Sequence, residues 1–265
     1  MPAVDLPRIK RQIHDLMDYF HAPAAFRREI NHLFFNYAHH ALNFSDYSKR
    51  KPLIPSYHLP APLVRQLEID LKPIINQYSQ AALALADELW QDSYIEVQKT
   101  AIFILNAALS DNPAPIRERL ETWLTPEMDN DLAAYLITQG TKNLSTSFPK
   151  AWEKMVDVWL DQKQPKMTAF GLQAVIESVK NPNYSNLPNI FRLVSPFIQE
   201  PQSIFRHELE LLITALAERS PTETGFFILQ ILALSSSKLT RRLVKNCLPA
   251  FSQTIQQELQ LILTD

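Results

Sequence analysis

The stretch Lys238-Leu239-Thr240-Arg241-Arg242-Leu243-Val244-Lys245 gathers four cations with no acid among them. Placed on a helix that opens at Ser237, these residues could grip phosphate oxygens, or they could form a solvated helix face. In a helix Arg241 and Lys245 lie one turn apart on one side, while Arg242 points about a quarter-turn away. Lys49-Arg50-Lys51 reads as a loop cluster, either solubilising or reaching toward a nucleic-acid backbone. Lys142, Lys150, Lys154, Lys163 and Lys166 flank one predicted helix pair, and form a basic rim if its ends face one way. Asp129 and Asp131 fall in a predicted first turn, where acids complement the helix dipole.

Other chemistries lack their residues. Gly140, Gly171 and Gly225 are the three glycines, so neither a P-loop nor a GxGxxG fingerprint exists. Cys247 is the single cysteine, which excludes an intramolecular disulfide and a cysteine-based zinc site. His32, His39 and His40 share a predicted helix with no acidic or cysteine partner nearby, so no metal is expected there. His207-Glu208 is no zinc-protease motif, because Leu211 stands where the second histidine belongs. Serine and histidine are scattered, with no GxSxG, and no cofactor is expected. Trp90, Trp123, Trp152 and Trp159 lie near predicted helix ends and read as core residues. Arg117 and Arg119 are balanced by Glu118 and Glu121, as on a surface helix.

The elements that carry these residues are helices. In Ala81–Leu109, Ala82, Leu85, Ala86 and Leu89 share one helical face, and Val97, Ala101, Ile104, Leu105 and Ala108 share another. Ser93 and Glu96 have capping-box spacing. Thr125-Pro126 and Ser220-Pro221-Thr222-Glu223 carry similar helix-start chemistry. The pattern predicts helices over 5–21, 23–42, 62–77, 79–91, 94–109, 114–124, 126–139, 147–162, 166–180, 187–199, 202–219, 221–235, 239–247 and 250–263. Residues 43–60 have no sustained period and form the longest predicted loop. Openings at 79, 113, 147, 187 and 221 recur about every 34 to 40 residues, the period of helix-pair repeats. An all-α solenoid of stacked antiparallel pairs of HEAT or armadillo type is expected, in one domain over 1–265. Within it, 1–59 supplies the first helices and the loop, and 60–265 the regular pairs. An irregular helical bundle is the alternative.

At 265 residues and a formal net charge of −2, the chain is ill-suited to non-specific nucleic-acid binding unless its cations cluster. The N-terminus MPAVDLPRIKR is too polar for a signal peptide. The longest apolar run, Gly225–Leu234, is interrupted by Gln230 and too short to cross a bilayer. A cytoplasmic protein with no membrane partner is expected.

Three stretches resemble the DNA alkylation repair family of HEAT-like proteins, which includes base-excising glycosylases. They are YHLPAPLVR ending at Arg65, ALALADELWQDSYIEVQKTAIFIL ending at Leu105, and ALAERSPTETGFFILQILALSSSKLTRRLVKNCL ending at Leu248. They stand in the family's order and spacing. The resemblance implies a positively charged groove holding duplex DNA, with tryptophans, an aspartate and an arginine facing the lesion. A carboxylate suits that chemistry, because loss of an alkylated base leaves an oxocarbenium-like sugar. The implied pattern is a tryptophan with an aspartate four residues on, and later a helix with tryptophan and paired arginines. Here Asp131 can stand for the aspartate, but Glu127 occupies the tryptophan's place. After Trp159, Gln164 falls near the second tryptophan, and Lys166-Met167 near the paired arginines. Lysine is a point charge and does not replace a bidentate guanidinium. The expectation is therefore a DNA-interacting member with weak or absent excision, Asp131 being the one candidate catalytic residue. Lys142, Lys150, Lys166, Arg241, Arg242 and Lys245 are the candidate DNA contacts. The rival expectation is a scaffold with a protein partner in its groove. An active glycosylase remains only if Asp131 faces that groove.

Overall fold

The computed structural model describes residues 6–38, 54–161, 163–235 and 237–264. Among these residues every regular element is helical and no strand forms. None of the described helices is long and apolar enough to cross a membrane. Lys49-Arg50-Lys51, His39 and His40 lie outside the described residues.

The chain divides into two compact units, residues 1–144 and 145–265. The first unit holds α1 (Leu6–Met17), α2 (Pro23–Tyr37), α3 (Ala61–Gln77), α4 (Ser79–Trp90), α5 (Ile95–Ala107), α6 (Ala114–Trp123) and α7 (Asn130–Tyr135). Leu63, Leu67, Leu71 and Ile75 recur every four residues along α3, so one stripe of that helix is fully buried. The predicted faces of α4 and α5 are buried as well, and the two helices pack on each other. Beyond that pair, α3 lies beside α5, and α5 beside the π-helical turn Leu136–Gly140 that follows α7. Gly140 permits this approach: a Cβ there would stand 3.1 Å from Leu120 Cδ2 and 3.4 Å from Ile102 Cγ2.

Helix α8 (Lys142–Ser147) spans the division between the units. The second unit holds α9 (Pro149–Leu160), α10 (Pro165–Lys180), α11 (Leu187–Gln199), α12 (Arg206–Arg219), α13 (Pro221–Leu234), α14 (Lys238–Cys247) and α15 (Gln253–Thr264). Here α10 packs on α9 and α12, and α12 on α13 and α14. The guanidinium of Arg219, at the end of α12, donates to the carbonyls of Val179, Asn181, Pro182 and Tyr184. One side chain thus fastens the whole turn after α10.

Four sequence expectations differ in detail. The Ser93–Glu96 capping box does not form; Tyr94 precedes α5, and the Glu96 carboxylate goes to residues 56–58 instead. The helix expected at Pro126 starts at Asn130, because the Asp129 carboxylate accepts the N–H groups of Asp131 and Leu132. At Ser220 the hydroxyl donates to the Glu223 carboxylate and the backbone N–H goes to the Leu216 carbonyl, so neither backbone bond of that box forms. Arg119 pairs with Asp87 on α4, in a bidentate contact at 2.8 and 2.6 Å, rather than with a neighbouring glutamate. Arg117 does pair with Glu121, at 3.4 Å. Ser237 caps α14 as its sequence predicts, accepting from the Thr240 N–H.

Candidate functional site

A cavity of about 720 Å³ opens between α3, α5 and α7 in the first unit. That volume lies in the range of small-ligand sites. Helix α3 turns Val64, Arg65 and Glu68 toward it, next to Leu67 of its buried stripe, which also lines the cavity. Helix α5 contributes Glu96, Lys99, Thr100 and Phe103, spaced three and four residues apart on one face. Helix α7 contributes Tyr135, the residue immediately before the π-helical turn. Such turns recur at functional sites.

The segment before α3 forms one wall. The Glu96 carboxylate accepts the Ser56 hydroxyl at 2.6 Å and the backbone N–H groups of Tyr57 and His58 at 3.0 and 2.9 Å. The Ile95 N–H donates to the Pro55 carbonyl at 3.0 Å. Thus the N-terminus of α5 holds this segment as a strap, through both its backbone and the Glu96 side chain. His58 within it has φ 52°. Tyr57 is buried, stacked 4.0 Å from the Tyr94 ring, and donates to Asn31 Oδ1. Burial first, then the neighbouring Tyr94 and Asp92, push its hydroxyl up to about 12.

The electrostatics of the cavity are mixed. Burial raises the Glu68 carboxyl above its ordinary range. Burial, and then the charge of Glu68, raises Tyr135. The Lys99 ammonium stands 5.1 Å from the centre of the Tyr135 ring, within cation–π range. Arg65, Glu68 and Lys99 make no ion pair or hydrogen bond with any other described residue.

The residues singled out in the sequence do not share this cavity. Asp131 is exposed in the first turn of α7, with its N–H bonded to Asp129, and does not line it. Glu127 is exposed ahead of that helix. Lys142 is exposed at the start of α8, and Lys150 on α9. Lys166 is half-buried, its ammonium 5.6 Å from the Phe170 ring centre, and Met167 beside it is buried. On α14 the cations diverge. Arg241 is half-buried and donates to the Ile262 carbonyl at 3.0 Å. Arg242 is exposed and, with Arg206 and Ser203, lines a cavity of about 90 Å³. Lys245 is exposed.

His32 has an acidic neighbour after all, Glu29 at 3.8 Å. No group of three or more potential metal ligands converges among the described residues. Trp123, Trp152 and Trp159 are buried, and half-buried Trp90 stacks on Trp123 at 4.4 Å, so the tryptophans are chiefly core.

Sequence reasoning missed Glu68, Lys99 and Tyr135. For Lys99 the signal was a polar stripe, Glu96, Lys99 and Thr100, on one face of α5, whereas Glu68 and Tyr135 lie on other helices. A family model described as DNA alkylation repair enzyme matches residues 39–245. No curated protein and no solved structure matches the chain.

Proposed function

The chain belongs to the DNA alkylation repair enzyme family, and from that premise we propose that it binds duplex DNA with base excision weak or absent. The observation that carries this reading is the chemistry of α7. A glycosylase of this family is expected to aim a carboxylate at the lesion from that helix. Here Asp131 is exposed outside the cavity, and the residue that enters it is Tyr135. A phenol kept neutral by burial supplies no anion to stabilise an oxocarbenium-like sugar. Nor does α10 offer a guanidinium pair, since Lys166 leans on Phe170 and Met167 is buried. The helix packing in each unit is consistent with stacked repeat pairs, and exposed Lys142, Lys150, Arg242 and Lys245 supply cations for the phosphate backbone.

The second reading is a scaffold for a protein partner. It is favoured by exposed Ile204 and Leu239, with Leu239 bordering the small cavity beside Arg242. One pair of experiments separates the readings. Anisotropy titration of a labelled duplex at several salt concentrations should show affinity falling as salt rises. A duplex carrying N7-methylguanine, incubated with the protein, should lose that base hardly faster than it does alone. Rapid release of the base would restore the glycosylase reading. Absence of salt-dependent binding would leave the scaffold.

A further inference from the structure

We infer that the cavity between α3, α5 and α7 takes a single unpaired nucleotide, a use that rests on the reading of the chain as a DNA-binding protein. Three features of the cavity have to be matched by one ligand. Phe103 and Tyr135 line it with aromatic rings. Whereas the oxygens of Glu96, which also lines the cavity, are taken by the strap, Arg65 and Lys99 bring two cations and Glu68 brings a carboxyl group that is open to a ligand. These three charged side chains have no ion-pair or hydrogen-bond partner among the described residues, although Glu68 and Lys99 are half-buried. Half-buried polar groups without partners are costly unless a ligand or water completes them.

A purely apolar ligand would leave all three uncompleted. A simple anion would meet Glu68, and a simple cation would meet Arg65 and Lys99. A nucleotide answers each feature with a separate part. Its base has a π-face for the rings, as in single-strand recognition. The edge of the base has N–H donors for the Glu68 carboxyl, and its phosphate has oxygens for Arg65 and Lys99. The volume of about 720 Å³ has room for a nucleotide. The strap at residues 55–58, fixed by Glu96, keeps this wall in place before any ligand arrives.

An unpaired nucleotide reaches such a cavity only when it leaves the helical stack, which is easiest at a bulge or mismatch. The test uses the full chain and four probes: a fully paired duplex, the same duplex with one unpaired adenosine, free deoxyadenosine 5′-monophosphate, and the nucleoside deoxyadenosine. The bulged duplex is expected to bind about tenfold more tightly than the paired one, a difference of about 1.4 kcal/mol. Val64→Phe, which projects a ring into the cavity, should weaken that preference and leave the paired duplex bound as before. Arg65→Gln changes an exposed side chain, so the fold is kept. It should weaken the monophosphate more than the nucleoside deoxyadenosine. If the paired duplex fails to bind while the monophosphate binds in an Arg65-dependent way, the pocket stands and the duplex reading falls. Equal binding of bulged and paired duplexes, with no Arg65-dependent binding of the monophosphate, overturns the inference and leaves the duplex reading intact.

Discussion

The Glu96 carboxylate on α5 accepts the backbone N–H of Tyr57 at 3.0 Å, across 39 residues of sequence. With its bonds to Ser56 and His58, it is the anchor that holds the strap against the cavity. Hydrogen bonds to an ionised group contribute more than neutral ones, and here the removal of one side chain orphans several donors. Glu96→Ala should therefore destabilise the first unit by about 2–3 kcal/mol in urea unfolding. Limited proteolysis should cut first within residues 54–60. Glu96→Gln should recover part of the loss, because an amide oxygen still accepts. An Ala variant as stable and as protease-resistant as the parent would show that the strap is held without Glu96, by Tyr57 and the bond from Ile95 to Pro55.

Glu68 carries a pH dependence whose sign is fixed by its environment. Its folded pKa is raised by burial. The folded state therefore holds the proton more tightly than the unfolded chain does. This stabilisation is complete below the unfolded pKa and is lost as pH rises through the folded one. Glu68→Gln removes the titration. The variant should be more stable than the parent at pH 7, with the gap closing as pH falls toward 4. Urea denaturation at both pH values measures it. A variant less stable than the parent at pH 7 would mean that Arg65 or Lys99 pairs with the carboxylate in solution.

The third prediction concerns Arg219, whose guanidinium bonds four carbonyls around the turn after α10. Lysine keeps the charge but not the planar fork, so Arg219→Lys should break most of these hydrogen bonds. A cost of about 2 kcal/mol is expected for Lys and somewhat more for Ala. Faster hydrogen exchange at residues 181–186 should accompany it. Unchanged exchange there would mean that Tyr184, buried against Trp152, holds the turn without help.

Which of these features could be read in the sequence follows from how far apart the partners lie. Helices such as α3 and α11 are local products of four-residue apolar spacing, and their limits follow directly from it. The Ser237 cap is legible for the same reason, since its partner Thr240 is three residues away. Glu96 misleads because two valid uses compete for one carboxylate. A local box with Ser93 would satisfy one donor, whereas the strap offers three. Arg119 likewise prefers Asp87, 32 residues back, to its neighbours. The cavity is harder still, because Arg65, Lys99 and Tyr135 share no period and meet only after three helices have packed. A family pattern directs attention to Asp131, but the turn that Asp129 makes leaves Asp131 exposed while Tyr135 enters the cavity.

The final prediction separates Arg241 from Arg242 and Lys245, three of the four cations of α14. From spacing alone Arg241 and Lys245 form a phosphate-tracking pair, and charge reversal at both should leave stability unchanged. The structure alters the second half of that expectation. Arg241 donates to the Ile262 carbonyl, one of the last-turn carbonyls of α15 that no helical N–H can reach. A glutamate there would remove that bond and place a negative charge at the negative end of the helix dipole. Arg241→Glu should therefore cost about 1–2 kcal/mol and fray α15. Arg242 and Lys245 are exposed and make no such bond. Arg242→Glu with Lys245→Glu should stay within about 0.5 kcal/mol of the parent. If α14 grips the backbone, this double variant should weaken every duplex alike, because no base edge is read. The salt slope should fall by about 1 for each phosphate that is no longer neutralised. Urea unfolding and anisotropy on the same samples keep the two effects apart. A double variant that is folded and binds duplex like the parent would remove α14 from the DNA-binding surface, leaving Arg241 as a structural clasp between α14 and α15.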